Sequence, residues 1–192
     1  MSGLSKLYKY TGDETLLKAA QNLLDAVLAS PLVTPAGVLV ESCDPTGTCN
    51  QDQWMFKGVF FEHLGYFLAD IAAMDEIPVP VRLGLVSQYC NFIQTNAQAV
   101  WDVARRQDGT VGNWWAATQG GPRQVSVESN GSGVAAVCCA VQVNKLLESL
   151  QITSLNTGNI TAVGTQGNTA TAVATPEQTV TRRGTDDGIT VV

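Results

Sequence analysis

The sequence predicts an all-α fold followed by an unstructured tail. Apolar residues recur at helical spacing in several segments of residues 1–151, and glycine or proline separates those segments. The composition then changes. From residue 152 onward the chain is rich in Thr, Gly, Ala and Val, and no aromatic residue occurs after Trp115. We therefore expect one folded domain over residues 1–151 and a disordered low-complexity tail over residues 152–192.

The beginning of the chain predicts a helical hairpin. A short helix ends at Gly12, and Asp13 is placed to cap a second helix that ends before Pro31. Apolar residues of this second helix are three or four positions apart: Leu16, Leu17, Ala20, Leu23, Leu24, Val27 and Leu28. A first helix needs a cover for its apolar face. We expect either preceding helices or association with another chain through this uncovered hairpin.

Two further apolar patterns complete the predicted helices. A long helix is expected from about Val81 to Arg106, and a final one from Val134 to Leu150. The long helix could form a coiled-coil seam, because its apolar residues alternate between steps of three and four: Leu83, Val86, Cys90, Ile93, Ala97, Val100 and Ala104. Its opposite face is also apolar, so we prefer a helix packed on two sides.

Composition and charge exclude several classes of function. The net charge of −6 and the absence of a basic stripe argue against nucleic-acid partners. With five cysteines, no CxxC pair and the single histidine His63, the sequence gives no support for a zinc site, and we expect no metal or other cofactor. The N-terminus lacks the apolar core of a signal peptide, and no window approaches a transmembrane segment.

Residues 37–70 hold most of the unusual chemistry. A loop between Cys43 and Cys49 is followed by a polar cluster and then by an amphipathic helix. The free N–H groups of a helix N-terminus attract acceptors and anions, which favours a functional site here. Asn50 or Asp52 as an ordinary helix cap is the plainer interpretation of either residue alone. The two cysteines could close a small disulfide loop or remain free thiols.

A family resemblance rests on this stretch. Its residues Glu41, Cys43, Cys49, Asp52, Gln53, Phe56, Lys57 and Gly58 resemble the C…C…DQ…FKG signature of glycoside hydrolase family 76. That family comprises endo-α-1,6-mannanases and fungal cell-wall mannosidase-like proteins built as an (α/α)6 barrel. The resemblance implies a partial (α/α)6 toroid of about five helices, an α-mannan polysaccharide substrate, and a secreted or cell-surface protein.

The catalytic residues that the resemblance implies do not match this chain. Glycoside hydrolysis usually needs two carboxyl groups across the scissile bond, and the family supplies an adjacent Asp-Asp pair. In the family that pair lies upstream of the hairpin that opens this sequence. The one adjacent pair here, Asp186-Asp187, lies in the Gly/Thr-rich tail, and we interpret it as solvated. We therefore assign no catalytic residue and expect the chain alone to be inactive.

The candidate site residues are substrate contacts. We assign sugar contact or loop ordering to Glu41, Asp52, Gln53 and Lys57 ahead of acid–base chemistry. Trp114 and Trp115 follow in a Gly-rich loop, where an indole could stack on a sugar ring or fill the core beneath the loop. The function expected is that of an endo-α-1,6-mannosidase, represented by its C-terminal part. The alternatives are a non-catalytic carbohydrate-contacting remnant and a helical scaffold.

Overall fold

The computed structural model describes residues 1–116 and 124–156, and these residues form five α-helices. We number them α1 (Ser2–Thr11), α2 (Glu14–Leu28), α3 (Gln51–Ala72), α4 (Val79–Ala99) and α5 (Val127–Asn156). A π-helical turn, Val100–Ala104, continues α4. Within the described ranges, β structure is limited to isolated bridges. The predicted all-α class is confirmed, with the five helices of a partial α/α toroid.

The hairpin of α1 and α2 forms as the turn residues indicate. Gly12 adopts the left-handed conformation, with φ at 69°, and its N–H donates to the carbonyl of Tyr8 at 2.7 Å. Asp13 accepts from the N–H of Thr15 at 2.9 Å and caps α2. Part of the apolar surface remains exposed, since Leu7 and Tyr10 are 52% and 86% exposed.

Helix α1 also packs against α3, which gives the hairpin a cover within this chain. Ser5 Oγ donates to the carboxylate of Asp70 at 2.7 Å, and Lys6 pairs with the other oxygen of the same carboxylate. At the start of α1, Ser2 Oγ lies 2.8 Å from Nδ1 of His63. The single histidine therefore helps to join two helices.

Helix α3 is the central element of the core. It contacts α1, α4 and α5. Its buried residues recur at helical spacing and lie on the faces toward those partners: Lys57, Gly58, Phe61, Leu64, Gly65, Phe67, Leu68 and Ile71. Phe61 stacks on Phe92 of α4 with ring centroids 5.6 Å apart. Because α3 is held by three other helices, its N-terminus has a fixed position, and so does the end of the loop that precedes it.

Helix α4 departs from the predicted boundaries at its C-terminal end. The α-helical part stops at Ala99, and the turn from Val100 to Ala104 is π-helical. The buried face includes Tyr89 and Asn96, both fully inaccessible. Asn96 accepts the N–H of Leu39 at 2.7 Å and donates to the carbonyl of Gly37 at 3.0 Å. This side chain holds the chain before the cysteine loop against α4.

Helix α5 begins at Val127, seven residues before the predicted start at Val134. The sequence GSG at residues 131–133 suggested a break, yet it lies inside the helix. Ser126 and Ser129 explain the early start, because the hydroxyl of each accepts the backbone N–H of the other, at 2.9 and 3.1 Å. The helix continues to Asn156. From residue 157 onward, the predicted disordered tail lies outside the described residues.

By length and mean hydropathy, one helix of the described ranges, at Val127–Leu155, could cross a bilayer. The core helix of a globular domain meets the same two criteria. In this structure the helix packs against both α3 and α4. We therefore make no membrane assignment from it.

Small residues allow α3 and α5 to approach closely. A Cβ added at Gly58 would lie 2.5 Å from the Cα of Ser132, so glycine is required by the contact. Ser132 Oγ accepts the N–H of Gly58 at 3.2 Å and donates to the carbonyl of Trp54 at 2.6 Å. The contact also fixes the first turns of α3, where the polar cluster lies.

We predict that Gly58→Ala destabilises the fold, because its methyl group must displace the backbone of α5. The expected loss in the free energy of unfolding is about 1–3 kcal/mol, measured by urea denaturation. Gly84→Ala is the matched control, since no atom lies within 4 Å of a Cβ added at Gly84 inside α4. That control should gain up to about 1 kcal/mol from helix propensity. Equal effects of the two substitutions would contradict the close contact.

Candidate functional site

The cysteine loop is a closed turn that precedes α3. Cys43 and Cys49 form a disulfide. Inside the loop, the N–H of Asp44 donates to the carbonyl of Glu41 at 3.0 Å. Gly47 has φ at 67°, a conformation that favours glycine. The loop therefore has a fixed shape before it meets the helix.

Asp44 is the buried centre of this loop. Its side chain has no exposed surface, and one oxygen, Oδ2, accepts from Nζ of Lys57 at 2.7 Å. The same oxygen accepts the N–H of Glu41 at 2.9 Å. The other oxygen, Oδ1, accepts from the side-chain amide of Asn113 at 3.0 Å. Three donors from three segments thus bond to one carboxylate. These hydrogen bonds compensate for the burial of its negative charge.

Lys57 enters this network from α3. Its side chain is also without exposed surface, so its charge is compensated inside the protein. Nζ lies 5.5 Å from the ring centroid of Trp115, over the indole. A ligand has no access to this ammonium group in the structure. The burial favours the loop-ordering alternative for Lys57 over direct contact with substrate.

Asn113 connects the tryptophan loop to the same centre. Its side-chain oxygen accepts the N–H of Gln124 at 2.9 Å, and its own N–H donates to the carbonyl of Gln124 at 3.0 Å. Gln124 in turn donates its side-chain amide to the carbonyl of Gly47 at 3.3 Å. The segment after the π-helical turn and the segment before α5 are therefore tied to the cysteine loop. We call these contacts of Asp44, Lys57 and Asn113 the Asp44 network.

Glu41 is the carboxyl group that this network holds near the surface. It is half-buried, and burial is the largest cause that raises the pKa of its carboxyl group. The charge of Lys57 opposes this increase, whereas that of Asp44 adds to it. Glu41 therefore keeps its proton to a higher pH than an ordinary glutamate does.

The polar cluster at the start of α3 forms a capping box. Asn50 accepts the N–H of Gln53 at 3.0 Å, while Gln53 accepts the N–H of Asn50 at 2.9 Å. The cap interpretation of Asn50 is therefore correct. Gln53 is occupied by this role and partly exposed, whereas Asp52 is exposed in the first turn. Asp52 remains available to a ligand at the positive end of the helix dipole.

The two adjacent tryptophans have different environments. Trp115 is fully buried, with its ring centroid 5.8 Å from that of Phe61. Trp114 is partly exposed. Among residues 1–116 and 124–156, the buried indole N–H groups of Trp115 and Trp54 have no hydrogen-bond partner. Of the adjacent pair, Trp114 therefore has accessible ring surface, and Trp115 packs in the core beneath the loop.

Sequence reasoning missed Asp44 and Asn113 as members of the site. Asp44 looked like a turn residue, because Asp-Pro inside a short loop is strong turn chemistry. The available signal was the position of Lys57, which is four residues before Phe61 and seven before Leu64 and so falls on the apolar stripe of the helix. A charged residue followed by Gly58 in an apolar helix needs a compensating charge nearby, and Asp44 is within the adjacent loop. Nothing in the sequence pointed to Asn113.

The carboxyl groups of the candidate site differ in their access to solvent. Glycosidic hydrolysis needs two carboxyl groups that reach the scissile bond. Glu41 reaches the surface, but its neighbour Asp44 is buried and fully hydrogen-bonded. Across residues 1–116 and 124–156, no three His, Cys, Asp or Glu side chains are grouped to hold a metal ion. The predicted solvated pair Asp186-Asp187 lies outside the described residues.

Comparison with known proteins gives a family match. Residues 1–151 match the family described as Glycosyl hydrolase family 76. The matched segment covers most of the 192-residue chain and includes the Asp44 network. No curated protein and no solved structure gives a match.

We predict that Asp44→Asn destabilises the fold by about 3–5 kcal/mol, because it leaves the ammonium group of Lys57 buried without a counter-charge. The shift in the urea midpoint of unfolding measures the effect. Asp52→Asn is the matched control at the exposed start of α3, and its loss should stay below about 1 kcal/mol. Similar shifts for the two variants would show that the buried ion pair contributes little.

The raised pKa of Glu41 predicts a pH-dependent stability. The folded state holds the Glu41 proton more tightly than the unfolded state, whose pKa is near the ordinary value of 4.5. The contribution of this bound proton to the free energy of unfolding is complete below that pH. It is lost as the pH rises through the pKa of Glu41 in the folded state. Glu41→Gln should remove this loss, so the variant gains stability relative to wild type as pH increases. Urea midpoints collected across this window test the prediction, and parallel pH profiles for the two proteins would refute it.

Proposed function

The chain belongs to glycosyl hydrolase family 76, and on that premise we propose that it acts on α-1,6-linked mannan through a substrate-contacting surface around Glu41. The family is one of glycoside hydrolases, so membership implies a polysaccharide substrate. The finer assignment to mannan is supported by the signature that runs from Glu41 to Gly58. We extend it to an endo-acting mannosidase of the cell-wall, fungal type.

The observation that supports this surface best is the position of Glu41 above the Asp44 network. The loop is bonded through its disulfide and anchored by a buried ion pair, so the Glu41 backbone is fixed. A fixed backbone limits the positions that the Glu41 carboxyl group can take, which lowers the conformational entropy lost when it binds a sugar hydroxyl. Asp52, Gln53 and Trp114 are the other proposed contacts with substrate, while Lys57 and Trp115 order the site from within.

We propose that this chain contributes substrate contacts and does not contribute the acid and nucleophile. The family resemblance places the Asp-Asp pair in a segment upstream of the one that matches the first hairpin. Among the described residues, Glu41 has no second accessible carboxyl group in its hydrogen-bonded surroundings. This arrangement also supports the alternative of a non-catalytic carbohydrate-binding protein. A disulfide-bonded loop favours a secreted or cell-surface setting for either function.

A helical scaffold is a second candidate, favoured by one specific observation. Leu7, Tyr10 and Leu23 of the first hairpin are 52%, 86% and 54% exposed. Apolar side chains of this size on one hairpin could pair with another copy of the chain. Light scattering over a range of protein concentrations separates this candidate from the first. A scaffold would form oligomers and would bind no sugar.

We predict that the 192-residue chain does not hydrolyse linear α-1,6-mannan but binds α-1,6-mannooligosaccharides. The release of reducing ends measures hydrolysis, and isothermal titration calorimetry measures binding. Glu41→Gln and Trp114→Ala should each weaken binding by roughly tenfold, which corresponds to about 1.4 kcal/mol. The reason is the loss of a positioned hydrogen bond or of a stacking surface.

The control for this experiment is Asp75→Asn, whose side chain is 98% exposed between α3 and α4. It should bind like wild type. Absence of binding to α-1,6-mannooligosaccharides would argue against the proposed substrate. Hydrolysis that disappears in Asp52→Asn would overturn the proposal that this chain does not contribute the acid and nucleophile.

A further inference from the structure

A second aromatic surface lies on the π-helical turn that follows α4. The indole of Trp101 is 55% exposed, although its neighbours Val100 and Ala104 are buried in the core. Trp101 lies in the predicted long helix, whose two apolar faces the sequence predicts to be packed. The π-helical turn gives this region a different geometry, and such turns are frequent at functional sites.

The exposed ring of Trp101 is held in place by Arg105. The guanidinium carbon lies 4.0 Å from the centroid of the Trp101 ring, so the cation stacks on one face of the indole. Arg105 Nε also donates to the backbone carbonyl of Trp101 at 3.3 Å. The π-helical turn itself ends with the N–H of Arg105 bonded to the carbonyl of Val100 at 2.9 Å. An aromatic ring ordered in this way loses little freedom when a ligand stacks on it.

Polar side chains of the same helical segment line a shallow depression, which Trp101 itself does not line. Gln98 donates its amide to Asp102 at 2.5 Å, and both residues are exposed. Together with Gln94 and Thr95 they line an open depression of about 520 Å³, whose other lining residues are apolar: Ala36, Val38, Ala99 and Val103. The polar part of this wall presents amide, hydroxyl and carboxylate groups. These groups can both donate hydrogen bonds to a ligand and accept them from it.

We propose that Trp101, Gln98, Asp102 and Arg105 form a second carbohydrate-contacting surface, which binds a neutral polysaccharide chain outside the Asp44 network. A sugar ring offers an apolar face for the indole and hydroxyl groups for the polar wall. Asp102 and Arg105 carry opposite charges, so the surface has no excess charge to attract a polyanion. None of these side chains takes part in the Asp44 network. The choice of α-1,6-mannan as the first probe rests on the proposed function.

The test is affinity electrophoresis of the full chain in gels that contain linear α-1,6-mannan. It is performed in a Glu41→Gln/Trp114→Ala background to weaken the first surface. We expect residual binding in this background, and Trp101→Ala should weaken it by about tenfold. Trp101→Phe keeps an aromatic face and should retain most of it. The matched control, Tyr10→Ala, removes another exposed aromatic residue and should leave binding unchanged.

The outcomes separate this proposal from the proposed function. The same gels are run with a neutral glucan, and Trp101-dependent retention there without retention by mannan would support the second surface while contradicting the mannan assignment. Absence of residual binding to both polysaccharides would overturn the proposal. So would equal retention of the Trp101→Ala and Tyr10→Ala variants. Concentration-dependent dimers in light scattering that disappear in Trp101→Ala would also overturn it, by making the surface a protein interface.

Discussion

The buried ion pair between Asp44 and Lys57 is the interaction on which the arrangement of this protein's site depends. Two charges without exposed surface are tolerated only when each is compensated, so the cysteine loop and α3 must keep one relative position. Asn113 adds the tryptophan loop to the same carboxylate. Separating the pair would leave two buried charges uncompensated, so the contact between the loop and α3 is costly to break. The Glu41 N–H bonds to the same carboxylate, which holds the backbone at Glu41 in this position.

Because Lys57 is followed directly by Gly58, the ion pair with Asp44 lies next to the close contact between α3 and α5. Lys57 faces the loop, whereas Gly58 allows the backbone of α3 to contact Ser132 of α5. Ser132 also bonds the carbonyl of Trp54, one turn earlier in α3. The start of α3 is therefore held from two directions. This explains in physical terms why a lysine and a glycine occur together at the beginning of an otherwise apolar helix.

The sequence predicted the helices well because their apolar spacing is a local property. It also identified the loop and helix start where the site lies. It could not determine which side chains reach the surface, because that depends on contacts between distant segments. Lys57 is compensated by Asp44 in the preceding loop, and Trp115 rather than Trp114 fills the core. The start of α5 was missed for a similar reason, since GSG weakens a helix locally while close packing against α3 favours it.

Hydrogen exchange followed by mass spectrometry on wild type and Asp44→Asn tests most directly whether this ion pair orders the site. We expect amides of the cysteine loop and of residues 111–116 to lose protection together in the variant. Amides of α1 and α2, which make no contact with Asp44, should keep theirs under native conditions. Unchanged protection in both segments, or a loss confined to the cysteine loop, would contradict the claim that one buried carboxylate organises this surface.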